Sequence, residues 1–305
     1  MHINIKWISI FLFMLAVSTK AENINTNLSS DILKKMNNEE LVQLFSHPKW
    51  GDKAFSEIAD RIRKGNSDQN EKLGKLLLQH WKESNDTGLV KERCLQGLRL
   101  VKSQEAVDYF VEQLFDGETK TDRVLAAHRL GTLRNASAVP ALEYAVSTDK
   151  AKKVFGEGRS IAAEAISALG EIGEPAVPSL MRIWGDERLV SGCKERVMTA
   201  MGRTKDKRFT PVLIEVLKGK NELIRSNAAW ALGEIGDDTS IPALRKYRED
   251  PDAKVRENVL QAIGKIERNK LAGTVSQQTT NQTAVGVPQI PGAGKTNELG
   301  NTVKP

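Results

Sequence analysis

Apolar residues along this chain recur at i, i+3, i+4 and i+7, the spacing of one buried stripe on a helix, in short stretches broken by Gly, Asp, Asn and Thr. The clearest unit is Ile224–Tyr247, IRSNAAWALGEIGDDTSIPALRKY. The same order of features returns in Ile161–Trp184, IAAEAISALGEIGEPAVPSLMRIW, and in Val124–Tyr144, VLAAHRLGTLRNASAVPALEY. Val197–Val216 is a more diverged copy and Val255–Ile266 a partial one. The anchor glycines Gly131, Gly170, Gly202, Gly233 and Gly264 are separated by 39, 32, 31 and 31 residues. Pro140, Pro178, Pro211 and Pro242 follow their glycines by eight or nine residues.

Each unit predicts two helices. The first carries the Ala/Leu/Ile stripe, a short polar segment turns the chain, and proline occupies the first turn of the second helix, where its missing N–H costs little. Ala and Gly near the crossing let two backbones approach. A helix pair this short cannot bury its stripe alone and needs the next pair stacked beside it. The expected fold is all-α: a right-handed α-solenoid of about six stacked helix pairs plus a terminal helix.

The runs Ala231-Leu232-Gly233-Glu234-Ile235-Gly236 and Ala168-Leu169-Gly170-Glu171-Ile172-Gly173 resemble the HEAT-repeat family, in its short A-L-G-x-[IL]-G variant seen in PBS-lyase-type HEAT-like repeats. The resemblance covers about 120–268. Upstream, Arg93–Leu114 fits as a degenerate copy with Asp108 where proline is expected. The stretches 53–64 and 69–83 form another amphipathic pair without the signature, and Asn37/Asn38 cap a starter helix over 39–45. The domain plan is then a signal peptide at 1–21, starter helices at 22–50, the solenoid at 51–269 and a disordered tail at 270–305. An insertion around 149–158 accounts for the spacing of 39.

The N-terminus reads as a secretory signal: Lys6 in a positive n-region, an apolar run from Trp7 to Val17 interrupted by Ser9, then Thr19-Lys20-Ala21 as a small-x-small site. A run of that length is about half of the roughly 20 apolar residues that a membrane span needs. The expected protein is therefore exported, to the periplasm or outside the cell, with no membrane span in the mature chain. The pI near 9.2 invites a nucleic-acid reading. However, two lysines lie in 1–21, and three more, against one glutamate, in 270–305. Residues 22–269 are left with 40 Lys and Arg against 38 Asp and Glu. No global basic field remains to attract a polyanion.

Candidate chemistry is sparse. Gly292-Ala293-Gly294-Lys295-Thr296 looks like the end of a phosphate loop, but Gln289 stands where its first glycine is needed. The histidines are solitary. Deoxyhypusine hydroxylases, also built of HEAT repeats, use recurring His-Glu pairs for a di-iron site; the nearest matches here are His128-Arg129 and Glu164-Ala165, so that dyad is absent. Nothing resembles a nucleophile motif. Trp81, Trp184 and Trp230 fit core positions, and Cys94 and Cys193, about three repeats apart, lie too far from each other for a disulfide and should be free and buried.

No catalytic, cofactor-binding or metal residue is therefore expected, and the remaining candidate is a surface. The resemblance implies that second helices line the concave side. Four residues on from each proline-equivalent, this gives a ladder of Glu112, Tyr144, Arg182, Glu215 and Lys246, with Tyr109, Arg245 and Arg248 beside it. The insertion, with Lys150, Lys152, Lys153 and Phe155, is a second candidate. The expectation is an exported, non-enzymatic scaffold for a protein partner of unknown identity, without cofactor or nucleic acid. The rivals are an accessory or modifying subunit of an enzyme system and a glycan-contacting envelope protein.

Overall fold

Residues 30–85, 88–148, 160–189 and 191–284 are described by the computed structural model. All regular structure in them is helical. Two short helices, α1 (Ser30–Lys35) and α2 (Asn38–Gln43), open the array. Six pairs follow. They are α3 (Gly51–Lys64) with α4 (Ser67–Glu83), α5 (Leu89–Val101) with α6 (Gln104–Asp116), and α7 (Lys120–Leu133) with α8 (Val139–Thr148). Next come α9 (Ile161–Ile172) with α10 (Val177–Gly185), α11 (Ser191–Thr204) with α12 (Thr210–Val216), and α13 (Glu222–Ile235) with α14 (Ile241–Arg245). The long helix α15 (Ala253–Ala284) closes the stack.

Local chemistry explains the helix ends. Asn37, Asn66 and Thr119 each form a reciprocal capping box with the residue three positions on, and Ser103, Ser160 and Asn221 cap through one side-chain bond. The second glycine of the signature ends the first helix: Gly173 and Gly236 sit at φ 90° and 76°, where a Cβ is unfavourable. Just beyond, Asn135, Asp206 and Asp237 accept from the amides of Ser137, Arg208 and Thr239, turning the chain into a single 3-10 turn before each second helix.

One contiguous core runs from Leu33 to Ile266. Its spacing is set by the anchor glycines. A methyl group on Gly131 would lie 2.7 Å from Ala168 Cα; on Gly170, 2.8 Å from Ala200 Cα; on Gly233, 2.8 Å from Ala262 Cα. The first helices α7, α9, α11, α13 and α15 therefore pack backbone against backbone. Second helices meet through side-chain ends, such as Arg182 of α10 on Glu143 of α8. Interaxial distance follows the size of the side chains at the contact. The first-helix row is thus the more closely packed of the two, and closer packing on one side bends a stack toward that side. Packing alone therefore favours the first helices, and not the second helices expected from the sequence, as the inner row: the residues small enough to shorten one row all lie in the first helices.

Arginine contacts lock successive units. Arg225, at the start of α13, donates from Nε and Nη2 to Asp250 at 2.9 Å each, and from Nη1 to the carbonyls of Gly219 and Lys220. Arg256 repeats the carbonyl contacts one unit later, on Asp250 and Pro251. Near the N-terminus, Arg93 joins Asp52 at 2.7 Å and reaches the Phe45 carbonyl. The Arg225 guanidinium holds the Asp250 carboxyl below the usual carboxylate range.

Two expectations change. The boundary at 269/270 falls inside α15, which continues to Ala284. Extending an existing helix adds one hydrogen bond per residue fixed, and proline first interrupts the chain at Pro288. Lys270 also binds Asp238 at 2.8 Å. Cys94 is free and buried, its thiol pushed up to about 12 by burial, whereas Cys193 is only half-buried. Residues 1–29, the insertion residues 149–159 and residues 285–305, with the Gly292–Thr296 motif, lie outside the described residues.

Two stability predictions follow from these contacts. Gly233→Val should cost about 1–3 kcal/mol through overpacking against Ala262, whereas Gly185→Ala, where an added methyl meets nothing within 4 Å, should be near neutral; thermal melts of both variants test this. Asp250→Ala should cost about 3–5 kcal/mol near neutral pH, because it leaves a buried guanidinium uncompensated. Since the carboxyl is depressed in the folded state, its stabilisation is complete above the ordinary carboxylate range and is lost as pH falls through the folded value. The gap between wild type and variant in urea titrations should therefore shrink on acidification below about pH 4.

Candidate functional site

The inner face is built by equivalent positions of α7, α9, α11, α13 and α15. The residue after each anchor glycine gives Thr132, Glu171, Arg203, Glu234 and Lys265. Three before the glycine stand His128, Ser167, Thr199, Trp230 and Gln261; six before stand Leu125, Glu164, Arg196, Asn227 and Asn258. All but Asn258 are half-buried or exposed. Helical geometry places these positions on one edge, because residues three and seven apart share a face.

Charges along this face are largely matched between neighbouring helices. His128 Nδ1 and Glu164 Oε1 are 2.9 Å apart, Arg203 reaches Glu171 at 3.9 Å, and Lys265 reaches Glu234 at 2.6 Å. The Ser167 and Thr199 hydroxyls donate back to the carbonyls of Ala163 and Glu195. On α13, Leu223 is 48% exposed and begins a stripe that continues through Asn227, Trp230 and Glu234. Trp230 lies across the neighbouring helix: a methyl on Gly202 would come 3.0 Å from its Cζ3. The glycine that sets helix spacing elsewhere here also makes room for an indole.

Internal cations cover the other described tryptophans. Lys49 and Lys53 lie 4.8 and 4.9 Å from the Trp50 ring centre, Lys91 and Arg129 lie 4.8 and 4.6 Å from Trp81, and Lys194 lies 5.8 Å from Trp184. Trp230 has no such cation among the described residues. Trp81 is buried and packs edge-on against Tyr109 and Phe110.

The ladder expected from the sequence lies on the outer row. Glu112, Tyr144, Arg182, Glu215 and Lys246 are all exposed. Several already have partners. Arg182 donates from Nε and Nη2 to Glu143 at 2.6 and 2.7 Å, which holds the Glu143 carboxyl below its usual range. Lys218 holds Glu215 at 2.7 Å, and the Tyr144 ring packs edge-on to Phe115 at 5.7 Å. Phe155, Lys150, Lys152 and Lys153 lie outside the described residues. The sequence reading placed its candidates on the second helices and left out these first-helix positions, because the spacing of a row is a comparison between units and not a property of one.

Residues 192–264 match the family model for HEAT repeats. The chain carries HEAT repeats. Among curated relatives, the deoxyhypusine hydroxylase of Candida albicans is 42% identical over 76 residues, 24% of each chain. That of Phaeosphaeria nodorum is 26% identical over 195 residues, 62% of this chain and 57% of the relative. The HEAT repeats here thus span between about a quarter and somewhat over half of such relatives. Among solved structures, the CpcE–CpcF complex of phycocyanin lyase from Nostoc aligns at 17% identity over 82% of this chain and 99% of that one, with a TM-score of 0.38. A likeness that low carries no argument.

These relatives correct the functional expectation. The matched curated proteins bear the name of an enzyme, which overturns the reading of a non-enzymatic scaffold. The exported, periplasmic or extracellular destination falls with it, as the name is that of a hydroxylase and not of a secreted or envelope protein. The signal segment on which that destination rested lies outside the described residues. The di-iron centre implied by the hydroxylase resemblance does not fit the side chains present. His128 and Glu164 bond each other, and no group of three or more His, Cys, Asp or Glu converges among the described residues.

Proposed function

We propose that this chain binds a segment of a partner protein along the inner face formed by α7, α9, α11, α13 and α15. The observation that carries this reading is the face itself: a strip of equivalent positions crossing five helices, with charges paired rung to rung and a half-buried indole among them. A strip of this kind offers many shallow, evenly spaced contacts, which suits an extended polypeptide better than a small molecule. Near-neutral charge over 22–269 argues against a nucleic-acid ligand. The relatives' named reaction supports no specific step here, because its metal has no ligand set among the described residues.

Photocrosslinking of the full chain tests it. A benzophenone amino acid at Thr199, on the inner face, should give polypeptide adducts in extracts of the native cells, and the same group at Glu215, on the outer row, should give few. Adducts concentrated at Glu215, with none at Thr199, would overturn the inner-face reading.

A further inference from the structure

We infer that the outward face of α15 binds a second copy of this chain, the two α15 helices packing antiparallel about a two-fold axis. This goes beyond the inner-face reading and does not depend on it. Each anchor glycine faces the next unit: Gly131, Gly170, Gly202 and Gly233 meet Ala168, Ala200, Ala231 and Ala262 of the following first helix. The residues four before those glycines, Ala127, Ile166, Met198 and Ala229, are fully buried. On α15 the same two positions are Leu260 and Gly264. Leu260 is 50% exposed, and a methyl on Gly264 would meet only Arg268 of its own helix within 4 Å. Ala253, Glu257, Leu260, Gly264, Arg268 and Leu271 follow at steps of three and four residues and form one stripe. It lies opposite the buried Val255, Val259, Ala262 and Ile266. The array thus ends on a face of the kind its other units bury, where a solenoid standing alone would carry a polar cap.

The stripe is complementary to itself when reversed. The antiparallel register that sets Leu260 against Gly264 of the copy also sets Leu271, 67% exposed, against the exposed Ala253, because both pairs are centred on position 262. Each puts a large side chain on a small one, and two-fold symmetry makes each contact occur twice. The same register brings Glu257 beside Arg268 of the copy, since the two lie on the same side of the stripe. In the single chain Arg268 folds back over Gly264, its Nη1 3.3 Å from the place of a Cβ, and this flexible side chain can swing out. Other occupants fit less well. A head-to-tail stack would bring the N-terminal helices to this face, and they lack the Ala-x-Gly signature. Residues 285–305 carry Pro288 and Pro291, which oppose a docked helix.

Sedimentation equilibrium of the full chain, from low micromolar to submillimolar concentration, tests this. The average mass should rise with concentration from 33.7 kDa to twice that value and stop there. Leu260→Glu should weaken association about tenfold or more, since one substitution alters two contacts at the centre of the interface. Glu257→Arg and Arg268→Glu should each weaken it about threefold to tenfold, because like charges then meet twice. An equimolar mixture of those two variants should associate as the wild type does, because opposite charges face each other again in the mixed pair. All three residues are exposed, so melts at low concentration should stay at the wild-type temperature and show that folding is kept. A mass that remains that of one chain throughout would overturn the assignment, and so would one that grows past two chains, which would mean head-to-tail stacking. Association indifferent to Leu260→Glu, or a mixture no tighter than either variant alone, would overturn it as well.

Discussion

Backbone contact between successive first helices is the constraint on which the rest depends. Gly131, Gly170 and Gly233 admit Ala168, Ala200 and Ala262 at distances no Cβ would allow. This contact sets the spacing of one row and leaves the other to be spaced by longer side chains. Curvature, the identity of the inner face and the alignment of its rungs follow from that inequality. Gly202 is informative because it meets both Ala231 Cα, at 3.1 Å, and the indole of the same helix. There the same absence of a side chain accommodates the edge of Trp230, so one device serves both packing and surface.

The Gly–Ala row begins at the third pair. Arg129 stands where later units have Ala168, Ala200, Ala231 and Ala262. It lies over Trp81 and Phe110 instead, and burial lowers its basicity. The N-terminal pairs are therefore joined to the rest by an aromatic cluster and a guanidinium. This explains why the signature is clear from about residue 120 and degenerate before it: upstream units use different chemistry at the crossing. Arg93 with Asp52 and Arg225 with Asp250 then perform the same task at opposite ends of the array, tying the start of a helix to the turn or helix before or after it.

Similarity to deoxyhypusine hydroxylases and the donor set point in different directions. The relatives share the repeats over part of their length. A repeat array can keep its packing code while its surface positions vary, because the buried glycines, alanines and leucines are on one side of each helix and the chemistry is on the other. In this chain the surface positions carry Ser, Thr, Asn, Trp and paired charges, with one His–Glu contact and no third ligand beside it among the described residues.

The helical class, the pairing of helices, the capping residues and the number of units were legible because each rests on local chemistry: apolar periodicity, Asn and Ser before a helix, proline in a first turn, glycine after a last one. The capping boxes at Asn66 and Thr119 and the turn at Asp237 need no distant contact to be recognised. Which row faces inward was not legible, because it depends on comparing two inter-helix distances, and neither is a property of a single unit. The extent of α15 past residue 270 was missed for a related reason. Its polar sequence has no apolar stripe of its own, and helix is carried into it from docked turns and the Lys270–Asp238 contact. The sequence by itself determined that the chain is a repeat solenoid. Only the tertiary structure decided which residues form its inner surface, because close approach in one row bends the whole stack.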